Sequence, residues 1–181
     1  MDLEATPTNR QKWIDTGYKL FGEIGTQSLN VKKLSSLVGL NRSSFYHYFK
    51  DLERFEEALF DRHLERFELL GEIIKDFEDF EQLFNDEVFE HKDALAFQRQ
   101  LLINQSSARY KDCSERVRQF TEAKTFELWT AVNKSEKTDK EQWDVFRAIR
   151  DFYYIHHGQS NGPGNPKELM VLLNKYLNRE V

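Results

Sequence analysis

The sequence predicts an all-α protein, with an N-terminal three-helix head carrying a helix-turn-helix (residues 1–50) and a larger helical body (residues 51–181). Three observations predict it. The only prolines are Pro7, Pro163 and Pro166, so nothing between the first two breaks a helix outright. Alternating Val/Ile/Thr runs are missing, and apolar residues recur three and four apart. Charge is split along the chain: residues 1–50 carry seven Lys/Arg against four Asp/Glu, a net +3, and residues 51–181 carry 19 against 27, a net −8. A basic head on an acidic body suits an anionic partner that meets only the head.

The first helix is expected from about Asn9 to Ile24. Thr8 and Gln11 have capping-box spacing, and Trp13, Gly17, Leu20, Phe21 and Ile24 form its inner stripe. Gly17 there suggests close approach by another helix, and Gly25 is a natural stop. Asn30 caps a short second helix, Val31 to Val38, which buries Val31, Leu34, Leu37 and Val38. Gly39 ends it and Leu40 is an apolar peg. Asn41 caps a third helix over about 42–48. Two short helices joined by a Gly-bearing turn make a helix-turn-helix. Asp51 then caps a long fourth helix reaching about Lys75. Its Phe55, Ala58 and Leu59 can pack back on the head, and its Phe60, Leu64, Phe67, Leu70 and Ile74 on the body. Further helices are expected at about 79–90, 93–106, 110–132, 138–157 and 166–178, the last two separated by the NGPGN loop.

Bulk composition bounds the class. At 181 residues, with 39% hydrophobic and 31% charged residues, the chain can bury a sizeable core and is not disordered. The longest apolar run, Leu169 to Leu173, is too short to cross a bilayer. The acidic start MDLEATPTNR does not read as a signal peptide. One cysteine, Cys113, excludes an internal disulfide and fits a reducing compartment, so a cytoplasmic location is expected.

The third helix carries the functional signal. Phe45 and Phe49, four apart, share the core face. Arg42, Ser43, Tyr46, His47 and Lys50 are left outward. Short serines allow close approach to a groove, tyrosine and histidine reach backbone oxygens, and cations neutralise phosphates. Arg42, near the helix start, stands where a recognition helix meets base edges, and arginine can bind guanine with two hydrogen bonds. The free N–H groups after Asn30 could hold a phosphate.

On these residues the chain resembles the DNA-binding domain of the TetR family of transcriptional regulators. The resemblance covers residues 9–56, about a quarter of the chain. It rests on Gly25, Leu34-Ser35, Gly39-Leu40 and the run Ser44-Phe45-Tyr46-His47-Tyr48-Phe49-Lys50, whose FYHYFK is close to the family's usual LYYHF or LYHYF followed by lysine. It implies base or near-base contacts from Arg42, Ser43, Ser44 and His47, and phosphate contacts from Tyr46, Lys50, Asn30 and Val31. Tyr48 reads as packed between helices rather than on DNA. Three positions depart from the family pattern. Leu29-Asn30 replaces a Thr-Thr pair, Leu52 stands where a lysine is common, and Gly17 stands where alanine is common.

The resemblance further implies a homodimer built by the last two long helices of each subunit. It also implies a body pocket whose filling by a small-molecule effector reorients the heads. The aromatics Phe77, Phe80, Phe84, Phe89, Phe97, Tyr110, Phe120, Phe126 and Trp129 read mainly as core. Asn104, Tyr110, Trp129 and His156 are candidate lining groups for the pocket.

Other chemistries are not expected. Glu87 with His91, and the pair His156-His157, fall short of a metal's ligand set. Cys113 beside Asp112 and Glu115 has its thiol pKa raised and reads as a packed thiol. Gly162-Pro163-Gly164 lacks the Lys-Ser/Thr of a phosphate loop. No nucleophile, base and orienting group stand together, so no enzyme, catalytic residue, metal or cofactor is expected. The expected function is a dimeric TetR-type transcription regulator, most simply a repressor, released from a double-stranded DNA operator by a small, largely apolar effector. The alternative is a ligand-independent helix-turn-helix protein that recruits a partner.

Overall fold

A computed structural model describes residues 7–133 and 137–156. Among them are eight α-helices and no strand: α1 Asn9–Ile24, α2 Val31–Val38, α3 Arg42–Phe49, α4 Leu52–Ile74, α5 Asp86–Phe89, α6 Lys92–Ile103, α7 Ala108–Val132 and α8 Asp139–His156. The expected helix at 166–178 lies outside the described residues. No helix among the described residues is long and apolar enough to cross a membrane.

Local caps fix the first four helices where the sequence puts them. Thr8, Asn30, Asn41 and Asp51 each accept a hydrogen bond from the backbone N–H three residues on. At α1 only half of the capping box forms, because the Gln11 side chain turns to Asp15 instead. Gly25 (φ 62°) and Gly39 (φ 73°) stop α1 and α2 in backbone that glycine adopts without strain. Between α3 and α4 the chain has only two residues in which to reverse. It does so in a three-residue turn closed by Asp51 N–H on the Phe49 carbonyl at 2.7 Å. This holds Lys50 at φ 65°, ψ −50°, a strained conformation for a residue with a side chain.

Two expectations are corrected. The single helix over 79–90 is a 3-10 turn, Phe80–Phe84, followed by α5. Asp79 and Gln82 form a full capping box for the turn, and Asn85 then caps α5 from extended backbone (ψ 169°), which interrupts the helix. Leu37 is not buried but 57% exposed. At about 100° per residue, Val31, Leu34 and Val38 share one narrow arc of α2, and Leu37 lies a further 60° or so round toward solvent.

The core is continuous across the expected boundary at residue 50. Trp13, Phe21, Leu34, Phe45 and Phe49 of the first three helices form one cluster with Phe55 and Leu59 of α4, Phe97 and Leu101 of α6, and Tyr110 and Cys113 of α7. The head therefore does not close a core of its own. A second cluster joins Phe67, Leu70 and Ile74 of α4 to Val117 and Leu128 of α7, and a third joins Trp129 to Phe146 and Ile149 of α8. Two helical glycines allow close approaches. A Cβ on Gly17 would stand 2.3 Å from the Phe55 ring, as the sequence suggests for α1, and one on Gly71 would stand 2.6 Å from the Phe120 carbonyl oxygen of α7.

A buried polar chain crosses the same core. The Tyr18 hydroxyl meets His63 Nδ1 at 2.8 Å, His63 Nε2 meets Gln98 Oε1 at 3.0 Å, and Gln98 Nε2 donates to Ser114 Oγ at 2.9 Å. The direction follows from the far end. Gln98 Oε1 can only accept, so His63 carries its proton on Nε2 and its Nδ1 accepts from Tyr18. Four helices, α1, α4, α6 and α7, are thereby fixed by one satisfied network.

Candidate nucleic-acid interface and body cavity

The outward face of α3 forms as its sequence requires. Phe45 and Phe49 are buried, and Phe45 meets Trp13 edge-on with ring centroids 5.3 Å apart. Arg42, Ser43, Tyr46, His47 and Lys50 are all exposed, Tyr46 by 52%. Ser44 is the exception. It is half-buried, and its hydroxyl accepts the Trp13 indole N–H at 3.1 Å, so it anchors α3 to α1 rather than standing outward. Tyr48, expected between helices, is 37% exposed and touches the rings of His47 and Phe49.

At α2, Asn30 is exposed and its side chain is occupied as a cap. The Val31 side chain is core, so only its backbone N–H is available to a partner. Lys32, Lys33, Ser36 and Leu37 line a shallow groove with Asn30. Sequence reasoning did not single out Lys32 and Lys33. The signal was there: a basic pair in the first turn of a helix, where cations are unfavourable to the helix dipole.

Most body arginines are ion-paired and the cations of this face are not, although Arg66, Lys92, Arg99 and Lys140 of the body also form no ion pair among the described residues. None of Lys32, Lys33, Arg42 and Lys50 forms an ion pair among the described residues, whereas Arg54, Arg62, Arg109, Arg116, Arg118, Arg147 and Arg150 all do. Glu122 of the body accepts from two arginines. Arg147 donates to it twice, at 3.0 and 3.1 Å, and Arg150 once. Burial alone would raise its pKa, but these hydrogen bonds outweigh burial and hold it below the usual carboxylate range.

The body contains a cavity of about 100 Å³. Leu70 and Ile74 of α4, Phe80 and Phe84 of the 3-10 turn, Thr121, Thr125 and Trp129 of α7, and Phe146, Ile149, Arg150, Tyr153 and Tyr154 of α8 are among its walls. Of the four expected lining residues, only Trp129 is in the wall. Tyr110 belongs to the head-side core and donates to Glu56, which also pairs with Arg109 at 2.9 Å. The Asn104 side chain folds back onto the Gln100 carbonyl as a helix C-cap. His156 lies against the exposed Phe152, ring centroids 4.2 Å apart and planes tilted by 39°. The three misplacements share one cause: a polar residue's neighbours across the bundle are set by helix packing, which periodicity does not report. Arg150, Tyr153 and Tyr154 were missed as lining groups because they sit on a helix that reads as interface.

Cys113 is buried, and its thiol pKa is pushed up to about 12, chiefly by burial, with Arg116 opposing and Asp112 adding. The sequence had attributed the shift to neighbouring carboxylates. No cluster of three or more metal-ligating side chains exists among the described residues. Against protein-family models, curated proteins and solved structures, the chain has no significant match.

Proposed function

We propose that this chain is a DNA-binding transcription regulator of the TetR type, acting as a homodimer and as a repressor that a small, largely apolar effector releases. One observation carries the reading: an exposed helix face of Arg42, Ser43, Tyr46, His47 and Lys50, whose cations lack carboxylate partners among the described residues, as do the exposed Lys32 and Lys33 of the preceding helix. Unpaired cations on one face of an acidic protein remain available to phosphates. Arg42 at the start of α3 reads a base edge, Tyr46, His47 and Lys50 hold the backbone, and the first turn of α2 takes a phosphate on its N–H groups.

In the dimer the two α3 helices stand one DNA turn apart, about 34–36 Å, or a multiple of that. Helix α4 couples the two ends of the subunit. Its Phe55 and Leu59 pack on the head, and its Leu70 and Ile74 wall the cavity. A ligand that shifts the far end of α4 thereby re-aims α3.

The test is binding to the region upstream of the protein's own gene, followed across a salt series. Specific binding falls steeply with salt, with a slope set by the number of phosphates neutralised. Lys50→Ala weakens binding to all sequences alike and lowers the slope by about one. Arg42→Ala relaxes preference at one base pair at a cost of roughly 1–3 kcal/mol. No binding to any duplex at low salt refutes the assignment.

A further inference from the structure

The wall of the body cavity is almost wholly apolar, which by itself selects only for greasy ligands. Among its few polar groups, one stands out. Trp129 is 3% exposed, lies in the wall, and its indole Nε1–H has no hydrogen-bond acceptor among the described residues. A buried donor without an acceptor is costly, and native structures rarely leave one without a purpose.

Thr121, Tyr153 and Tyr154 also bring hydroxyls to the wall, and the remaining two polar side chains, Arg150 and Thr125, are already engaged. The Arg150 guanidinium is neutralised by Glu122 and Asp151 and lies over the Phe146 ring. The Thr125 hydroxyl donates to the carbonyls of Thr121 and Glu122. An anionic ligand would have to strip Arg150 of two carboxylates, so the wall does not favour one. We propose that the cavity takes a neutral, largely apolar molecule bearing one hydrogen-bond acceptor, such as a ketone, ester or lactone carbonyl, that receives the Trp129 indole N–H. This rests on the regulator reading only in naming that molecule as the effector. The cavity and the donor stand without it. A dry cavity of about 150 Å³ lined by Leu, Ile and Phe holds benzene, so 100 Å³ admits a short chain, and a six-membered ring enters only by turning the Phe80 or Phe84 rings aside.

The test uses two ring molecules of like shape on the full chain: cyclohexanone, which has the acceptor, and methylenecyclohexane, which lacks it. Each is titrated while the indole N–H signals of the three tryptophans are followed by NMR, with the Trp129 signal assigned by its loss in Trp129→Phe. Cyclohexanone is expected to move the Trp129 proton downfield, and methylenecyclohexane not to. Trp129→Phe is expected to weaken cyclohexanone about fivefold, the factor one hydrogen bond of ordinary strength supplies, and to leave methylenecyclohexane within about twofold. Comparing each probe with itself across the substitution cancels the ketone's better hydration. The inference is overturned if neither probe binds, if the ketone leaves the Trp129 signal in place, or if both probes respond alike to the substitution. The Trp13 and Trp143 signals report whether the variant folds, and if it does not, the indole shift in the unaltered protein decides. DNA binding by the same sample separates the two claims. Its absence with the ligand pattern intact refutes only the regulator reading, and the reverse refutes only this inference.

Discussion

Acidification is expected to destabilise this protein in part through His63. His63 is fully buried, accepts from Tyr18 and donates to Gln98. Burial lowers its pKa from 6.5 to about 4, with the Gln98 hydrogen bond only partly opposing. Below pH 6.5 the unfolded chain takes up a proton here that the folded chain refuses until about pH 4. The stability this histidine contributes is therefore complete above pH 6.5 and is lost as pH falls toward 4. The whole difference is about 3 kcal/mol, and about 2 kcal/mol of it is gone by pH 5. Urea unfolding at pH 7.5 and pH 5, in the native chain and in His63→Gln, isolates the effect because other groups titrate alike in both. The variant is expected to be less stable by about 1–3 kcal/mol at pH 7.5 but to lose about 2 kcal/mol less on acidification. His63 ring signals should stay those of the neutral Nε2–H tautomer down to pH 5. An equal acid loss in the two proteins, or a His63 ring that titrates near 6.5, refutes the reasoning.

Two further substitutions test the packing. Gly71→Ala places a methyl 2.6 Å from a backbone oxygen of α7, which no rotamer change relieves, so unfolding should show a loss of roughly 1–3 kcal/mol despite alanine's better helix propensity. An unchanged or raised melting temperature would mean that α4 and α7 are not in close contact there. Lys50→Gly releases the positive-φ strain between α3 and α4 and removes a cation from the proposed DNA face. Stability is expected to rise by about 1 kcal/mol while DNA affinity falls. A variant both less stable and unaltered on DNA contradicts both halves of that argument.

What was legible in the sequence is what short-range chemistry decides. Thr8, Asn30, Asn41 and Asp51 cap because a side-chain oxygen meets an N–H three residues away, whatever the rest of the chain does. Phe45 and Phe49 had to share one face of α3, which left Arg42, Tyr46, His47 and Lys50 outward. Gly17 announced a close approach, though not to Phe55. The tertiary structure alone decided which faces meet. It gave the Ser44 hydroxyl to Trp13, took Tyr110 out of the cavity and into the head-side core, and put Trp129 and Arg150 in one cavity wall. It also ran one core across residue 50 and threaded Tyr18, His63, Gln98 and Ser114, far apart in the chain, into one hydrogen-bonded line. Periodicity says which side of a helix is dry, but the partner across the gap depends on how helices cross and how deep each sits, and those are properties of the packed whole.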